Sequence, residues 1–139
     1  MSKDHKILFK GETITIVLHK SPAYLEMIFY GYTHSEEFRR AWNTVLDFKN
    51  TKDFSGRILL DQYYMHVQPD DFAWCMKEWF PKAVKKCSPK SSVAIIPAVN
   101  FVGNFQVKED SKEVQTKYPD IKVQFFENFD GAIEWLEKR

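Results

Sequence analysis

The sequence has few of the residues that staple small or extracellular proteins together. It contains two cysteines, Cys75 and Cys87, and neither belongs to a Cys-x-x-Cys pair or to a Cys/His spacing typical of a metal site. Cys75 falls in a helical apolar pattern, which favours a buried thiol that packs as a small hydrophobic side chain. A chain of 139 residues can bury about two thirds of its unfolded surface without such staples. We therefore expect a cytoplasmic protein that holds no metal and no cofactor.

Long hydrophobic runs and an excess of charge of one sign are also missing. No uncharged apolar run approaches the roughly 20 residues that cross a bilayer, and the polar segment Met1–Lys6 lacks the apolar core of a signal peptide. The formal net charge is +1, and lysines and glutamates are interspersed along the chain. Because phosphate binding needs a concentrated basic face, we expect no nucleic-acid partner and no membrane span.

Glycine and proline are sparse, with five and six residues, and they form no linker. Without a linker or an internal repeat, the simplest organisation is a single domain over residues 1–139. Aromatic residues are abundant instead, with 12 Phe, 6 Tyr and 4 Trp. Such rings supply much buried area per residue, so a well-filled core is expected.

The first third of the chain predicts three strands. Residues 6–10, 13–18 and 24–32 are rich in apolar or β-branched residues, and short turns at Gly11 and Pro22 separate them. In the third segment, alternation places Leu25, Met27 and Phe29 on one face. Neighbouring strands joined by short turns are expected to be antiparallel.

A helical period follows. Thr33 and Glu36 have the spacing of a capping box, and an amphipathic stripe begins at Phe38. The stripe predicted to face the core comprises Phe38, Ala41, Trp42, Val45 and Leu46.

The rest of the chain alternates strand and helix. Strands are predicted at 57–62, 92–97 and 121–126, a helix at 69–86 with a kink at Pro81, and a last helix capped by Asp130. Trp74 falls off the apolar stripe of its helix, so an exposed ring at a partner surface is one outcome. Residues 101–118 are ambiguous, with a weak helical pattern from Phe105. The order predicts an α/β fold: one mixed sheet of five to six strands, with about four helices mainly on one face.

Four segments together resemble the SpoIIAA-like branch of the STAS fold, the fold of anti-sigma-factor antagonists. They are Gly31–Phe38 (G-x-x-x-x-E-E-F at a helix start), Leu59–Asp61, Glu78–Ala83 and Phe129–Leu136. Their order and spacing resemble small stand-alone bacterial members of this family. The resemblance implies the mixed-sheet fold and a non-enzymatic regulatory role.

The chain departs from this family's regulatory antagonists at one position. Those proteins carry a phosphorylatable Ser at the start of the helix after the central strand, whereas no Ser or Thr stands between Asp61 and Asp71. The phosphoserine switch is therefore not carried over. Asp70 and Asp71 either mimic a phosphate in charge or simply complement the helix dipole.

Loops at the carboxyl ends of parallel strands supply the candidate site, because open α/β sheets bind ligands there. Asp61 ends a buried strand, and aromatic residues follow it. A second loop, after the next strand, is expected beside the first. The candidate ligand- or partner-binding residues are Asp61, Tyr63, Tyr64, His66, Asn100, Phe101 and Asn104.

Three functions stay open. The first is a non-enzymatic regulatory or protein-interaction module, possible as a homodimer, that lacks the phosphorylatable serine. The second is a binder of a small apolar or amphipathic ligand at the carboxyl ends of the parallel strands. The third is an enzyme that uses Asp61 and His66 as an acid–base pair, although the sequence offers no evident nucleophile.

Overall fold

The computed structural model describes residues 5–86 and 90–139. In these ranges one mixed sheet contains six strands, in the spatial order β1-β2-β3-β5-β7-β8, with these bounds: His5–Lys10 (β1), Ile14–Lys20 (β2), Ala23–Phe29 (β3), Arg57–Asp61 (β5), Ser91–Ile96 (β7) and Ile121–Phe125 (β8). Two short strands, Tyr32–Thr33 (β4) and His66–Val67 (β6), pair separately in parallel. Strand β2 is antiparallel to β1 and β3, and the other neighbours in the sheet are parallel. The predicted mixed sheet is confirmed.

The helices follow the predicted alternation. Their bounds are Ser35–Lys49 (α1), Pro69–Trp74 (α2), Phe80–Lys86 (α3), Phe101–Lys117 (α4) and Phe129–Glu137 (α5). A π-helical turn, Cys75–Trp79, joins α2 to α3, so the pair forms one continuous helical segment. Within the described ranges, none of the helices combines the length and the apolar character that crossing a bilayer requires.

The larger core lies between one face of the sheet and helix α1. All five residues of the predicted α1 stripe are buried. They share a hydrophobic cluster with Leu25, Met27 and Phe29 of β3, the face that alternation predicts. Residues from α2, the π-helical turn, α3 and α4 belong to the same cluster or pack against it.

A smaller core covers the opposite face of the sheet. Ala132 and Leu136 of α5 pack there with Leu59 of β5 and Ala94 of β7. Since α5 is the one helix of the described chain in this second cluster, the helices lie mainly on one face, as predicted.

Two predicted helix caps are wrong. Helix α1 begins after His34, whose side chain makes no capping bond, while Thr33 lies in β4 with its Oγ1 2.8 Å from that of Thr13. Glu37 Oε2 accepts the backbone N–H groups of Thr13 and Ile14, both at 2.8 Å. Long-range pairing of these polar groups therefore replaces the local capping box.

The cap of the last helix is also displaced. Asn128 Oδ1 accepts the N–H of Gly131 at 2.9 Å and caps α5, whereas Asp130 lies in the first turn. Asn is as good an N-cap as Asp, so position relative to the first helical turn decides between them.

Where the sequence predicts a kink, the residues just before Pro81 form the π-helical turn. The N–H of Phe80 donates to the carbonyl of Cys75, five residues back. Pro81 has no N–H, so the helix cannot keep its regular ladder there, and a widened turn accommodates the break. Trp74 is half-buried rather than exposed: its ring lies edge-on to Phe38, and Arg39 lies 5.3 Å from its centroid.

The ambiguous segment is a helix from Phe101 onward, four residues earlier than the weak pattern indicates. Asn100 Oδ1 accepts the N–H of Gly103 at 3.2 Å and fixes this start. Cys75 is buried, as predicted, and burial raises the pKa of its thiol strongly. Cys87 lies outside the described residues.

Candidate functional site

The loops that follow β5 and β7 meet at the carboxyl ends of the parallel strands. The N–H of Val99 donates to the carbonyl of Tyr63 at 3.0 Å, and Asn100 Nδ2 lies 2.9 Å from His66 Nδ1. Adjacent parallel strands end at the same edge of a sheet, so two loops 35 residues apart in sequence are neighbours in space. The structure thus brings the two predicted loops together.

The aromatic candidate residues are exposed at this edge. Tyr63 and Tyr64 pack perpendicular to each other with ring centroids 4.8 Å apart, and both remain exposed. Phe101, at the first position of α4, is 81% exposed. Asn104 is partly buried, and its Oδ1 is buried without a hydrogen-bond partner.

Asp61 has a local role in this arrangement. Its Oδ1 accepts the N–H of Tyr63 at 3.3 Å, which turns the chain after β5. Burial raises the pKa of the Asp61 carboxyl, and the Tyr63 N–H opposes this by stabilising the charged form. By strand alternation Asp61 shares the face of Leu59, the side covered by α5.

His66 has a different hydrogen-bond partner. It pairs with Asn100, so the side-chain amide of Asn100 orients the imidazole. The enzyme hypothesis from the sequence gives this role to the Asp61 carboxylate. The bond links the two loops and fixes the exposed ring. Neither of these hydrogen bonds joins Asp61 to His66, so acid–base catalysis by this pair stays a prediction.

Sequence reasoning missed part of the exposed surface. Tyr32, Val99, Val102 and Phe105 are each more than half exposed, and they adjoin the predicted residues. Tyr32 pairs with His66 across the short ladder and receives a hydrogen bond from Gln68. We call the combined surface the aromatic rim: Tyr32, Tyr63, Tyr64, Val99, Phe101, Val102 and Phe105. A helix that begins at Phe101 places Phe101, Val102 and Phe105 on one helical face, and this is the signal that could have identified them.

The two carboxylates at the start of α2 differ sharply in exposure. Asp71 is fully buried; Ser35 Oγ donates to its Oδ2 at 2.7 Å, and Arg39 Nε lies 3.5 Å from Oδ1. Asp70 is exposed. Asp71 therefore ties α2 to the start of α1, and a pair of exposed charges that could mimic a phosphate is not formed.

Among the described residues, no group of three or more His, Cys, Asp or Glu side chains is placed to hold a metal ion. Comparisons of the chain with protein-family models, with curated proteins and with solved structures find no match. The likeness to the SpoIIAA-like family accordingly stays a prediction from the four sequence segments.

Proposed function

We propose that the protein is a non-enzymatic regulatory or protein-interaction module of STAS-like type, which binds through the aromatic rim. The observation that carries the proposal is the exposure of seven apolar or aromatic residues in β4, in the two neighbouring loops and in the first turns of α4. A soluble domain rarely leaves a contiguous apolar surface uncovered unless something binds there. The proposal includes no phosphoserine switch, because no Ser or Thr lies between Asp61 and Asp71.

The composition of the rim favours a protein partner. Residues 62–68 and 97–107 contain no Asp, Glu, Lys or Arg, although charged residues make up 28% of the chain. Depletion of charge together with enrichment in Tyr and Phe is typical of the centres of protein interfaces. A membrane surface would instead favour clustered Lys or Arg beside the aromatic residues.

A second copy of the chain is the occupant that we propose. With a net charge of +1 and an uncharged rim, two copies meet with little electrostatic repulsion. The hydroxyls of Tyr63 and Tyr64 both donate and accept, so each can pair with the same group across a two-fold axis. The proposed function is therefore self-association through the rim, which can be measured without knowledge of a pathway.

Sedimentation velocity over a range of concentrations tests the proposal with the variant Phe101→Asp. An acid at the first helical position suits the helix dipole, so the variant is expected to fold. In the interface it places a charge that must lose its water, which is expected to weaken dimerisation at least about tenfold. The matched control, Ile7→Lys, changes an exposed apolar residue on edge strand β1 and is expected to dimerise like the wild type.

Two results would overturn the proposal. One is a wild-type chain that stays monomeric at the highest concentration reached, and the other is equal dimerisation by Phe101→Asp and the wild type. Flotation with neutral phosphatidylcholine vesicles separates a third source of rim affinity. Vesicle binding that disappears in Phe101→Asp would assign the rim to lipid instead.

A further inference from the structure

A cavity of about 120 Å³ lies between the sheet and the helices of the larger core. Leu60, Ile95 and Val123 line it from three neighbouring strands, and residues of α1, the π-helical turn and α4 line it from the other side. Protein interiors keep few voids larger than a water molecule. An apolar cavity of about 150 Å³ is enough to bind benzene, so this one approaches the volume of a single small ring.

Helix α4 places polar side chains where a core helix would carry apolar ones. Val107 and Val114 are buried on its inner face. Asp110 and Ser111, which lie between them at helical spacing, also line the cavity. A leucine or valine at either position would fill part of the space, so the chain keeps polar side chains on the wall of a cavity that is mostly apolar but is also lined by Lys49, Gln62 and Ser91.

Two further polar residues on the cavity wall have unpaired buried atoms. Gln62 is 5% exposed, and its Oε1 has no hydrogen-bond partner. The indole Nε1 of Trp42 is likewise buried and unpaired. Both residues line the cavity. Because buried polar groups without partners are costly, one acceptor and one donor here point to a ligand that supplies the complementary groups.

A surface groove between α2 and α4 meets the cavity. Phe72, Met76 and Asp110 line both. Met76 belongs to the π-helical turn, and methionine side chains change rotamer easily. Movement of these side chains would let a small molecule pass from the groove inward.

We propose that this cavity is a binding site for a small neutral molecule with an apolar ring and one hydroxyl group. The ring fills the apolar space. The ligand hydroxyl donates a hydrogen bond to Gln62 Oε1, and the hydroxyl oxygen accepts one from Trp42 Nε1. A neutral group is favoured because a charge would have to leave water. The site lies on the face of the sheet that α1 and α4 cover, whereas the ligand hypothesis from the sequence places it at the carboxyl ends of the parallel strands.

Titration of the wild-type protein with phenol, followed by two-dimensional NMR, tests the site. We expect saturable shifts centred on Ile95, Val107 and the Trp42 indole N–H. Toluene, which lacks the hydroxyl, is expected to shift the aliphatic residues and to leave the indole N–H nearly unmoved. Absence of saturable phenol shifts in the core would overturn the proposal. Tighter binding of benzylamine than of phenol would overturn the choice of a neutral ligand.

Two variants separate the hydroxyl contact from the cavity itself. Gln62→Leu removes the unpaired acceptor and is expected to weaken phenol binding about fivefold without weakening toluene binding. Ser111→Leu fills the polar edge, suits the helix, and is expected to abolish binding of both molecules. Unchanged phenol binding in Ser111→Leu would contradict the site.

The variant Phe101→Asp is the matched control, because it alters the rim and not the cavity. We expect it to bind phenol like the wild type even though its self-association is weakened. The two proposals can therefore fail independently.

Discussion

Helices α1 and α4 lie against the same face of the sheet, yet they use opposite designs. Every position of the α1 stripe is apolar and buried, and the stripe is continuous from Phe38 to Leu46, over a little more than two helical turns. The inner face of α4 alternates buried valines with Asp110 and Ser111. A continuous stripe closes a core, whereas an interrupted one leaves a cavity with a polar edge. Helix α1 therefore contributes mainly to stability, whereas α4 is less tightly packed where the cavity lies.

The largest loss of stability is expected from Leu46→Ala. Leu46 is 6% exposed in the α1 stripe, so its truncation leaves a void in a packed core. We expect a loss of about 3 kcal/mol in the free energy of unfolding, measured by urea denaturation. Asn43→Ala, on the exposed face of the same helix, is the control and is expected to be neutral or slightly stabilising. An equal loss in both variants would contradict the assignment of the stripe.

A smaller loss is expected from Glu37→Ala. Its carboxylate accepts two backbone N–H groups at the turn between β1 and β2, and these donors lose their partner in the variant. We expect a loss of about 2 kcal/mol in the free energy of unfolding. The neighbouring acid supplies the control: Glu36→Ala changes an exposed residue in the same helical turn, with an expected loss of only about 0.3 kcal/mol. Similar losses in the two variants would show that dipole charge, rather than the turn contact, stabilises α1.

The smallest effect is expected at Asp110 in α4, and it depends on pH. Burial raises the pKa of this carboxyl, nearby Glu113 and Glu109 raise it further, and the hydrogen bond from Gln106 opposes them. The folded state therefore binds a proton at a pH where the unfolded chain has released it. The ionised carboxyl destabilises the fold at neutral pH. This penalty begins to shrink as pH falls below the raised pKa of the folded state and is gone below the ordinary pKa of the unfolded chain.

Asp110→Asn is accordingly expected to be more stable than the wild type at neutral pH, with a gap that narrows as pH is lowered. Urea denaturation at a series of pH values measures the gap. Glu109→Gln changes a more exposed acid in the same turn and is the control. A gap that stays constant with pH would show that the amide acts through a different contact.

The accuracy of the sequence predictions follows the same contrast. The α1 stripe and the inward face of β3 are confirmed residue by residue, because burial of a continuous apolar face imposes its own period. The sequence indicates helix α4 only from Phe105, because polar residues on its inner face interrupt the helical period of apolar residues. The cap predicted at Thr33 is wrong because the Thr33 hydroxyl pairs with that of Thr13, 20 positions earlier in the chain, and helix α1 begins only after His34.

For the candidate site, the sequence predicts which two loops are neighbours but not the contacts that join them. The order of strands predicts that the loops after β5 and β7 are neighbours, and the bond between His66 and Asn100 joins them. It could not predict that Asn100, rather than Asp61, is the partner of His66. Alternation along β5 already places Gln62 on the face opposite to Asp61, but it could not show that Gln62 Oε1 is buried without a hydrogen-bond partner.

Three features follow from the amino-acid sequence alone: the alternation of strands and helices, the apolar faces of α1 and β3, and the absence of charge along the two loops. Each is a local property, set by periodicity and composition within one segment. The contacts between the loops, the buried polar atoms without partners and the position of the cavity become visible only in the folded chain. These features depend on residues far apart in the chain, whose distances are set by the twist of the sheet and the crossing of the helices over it.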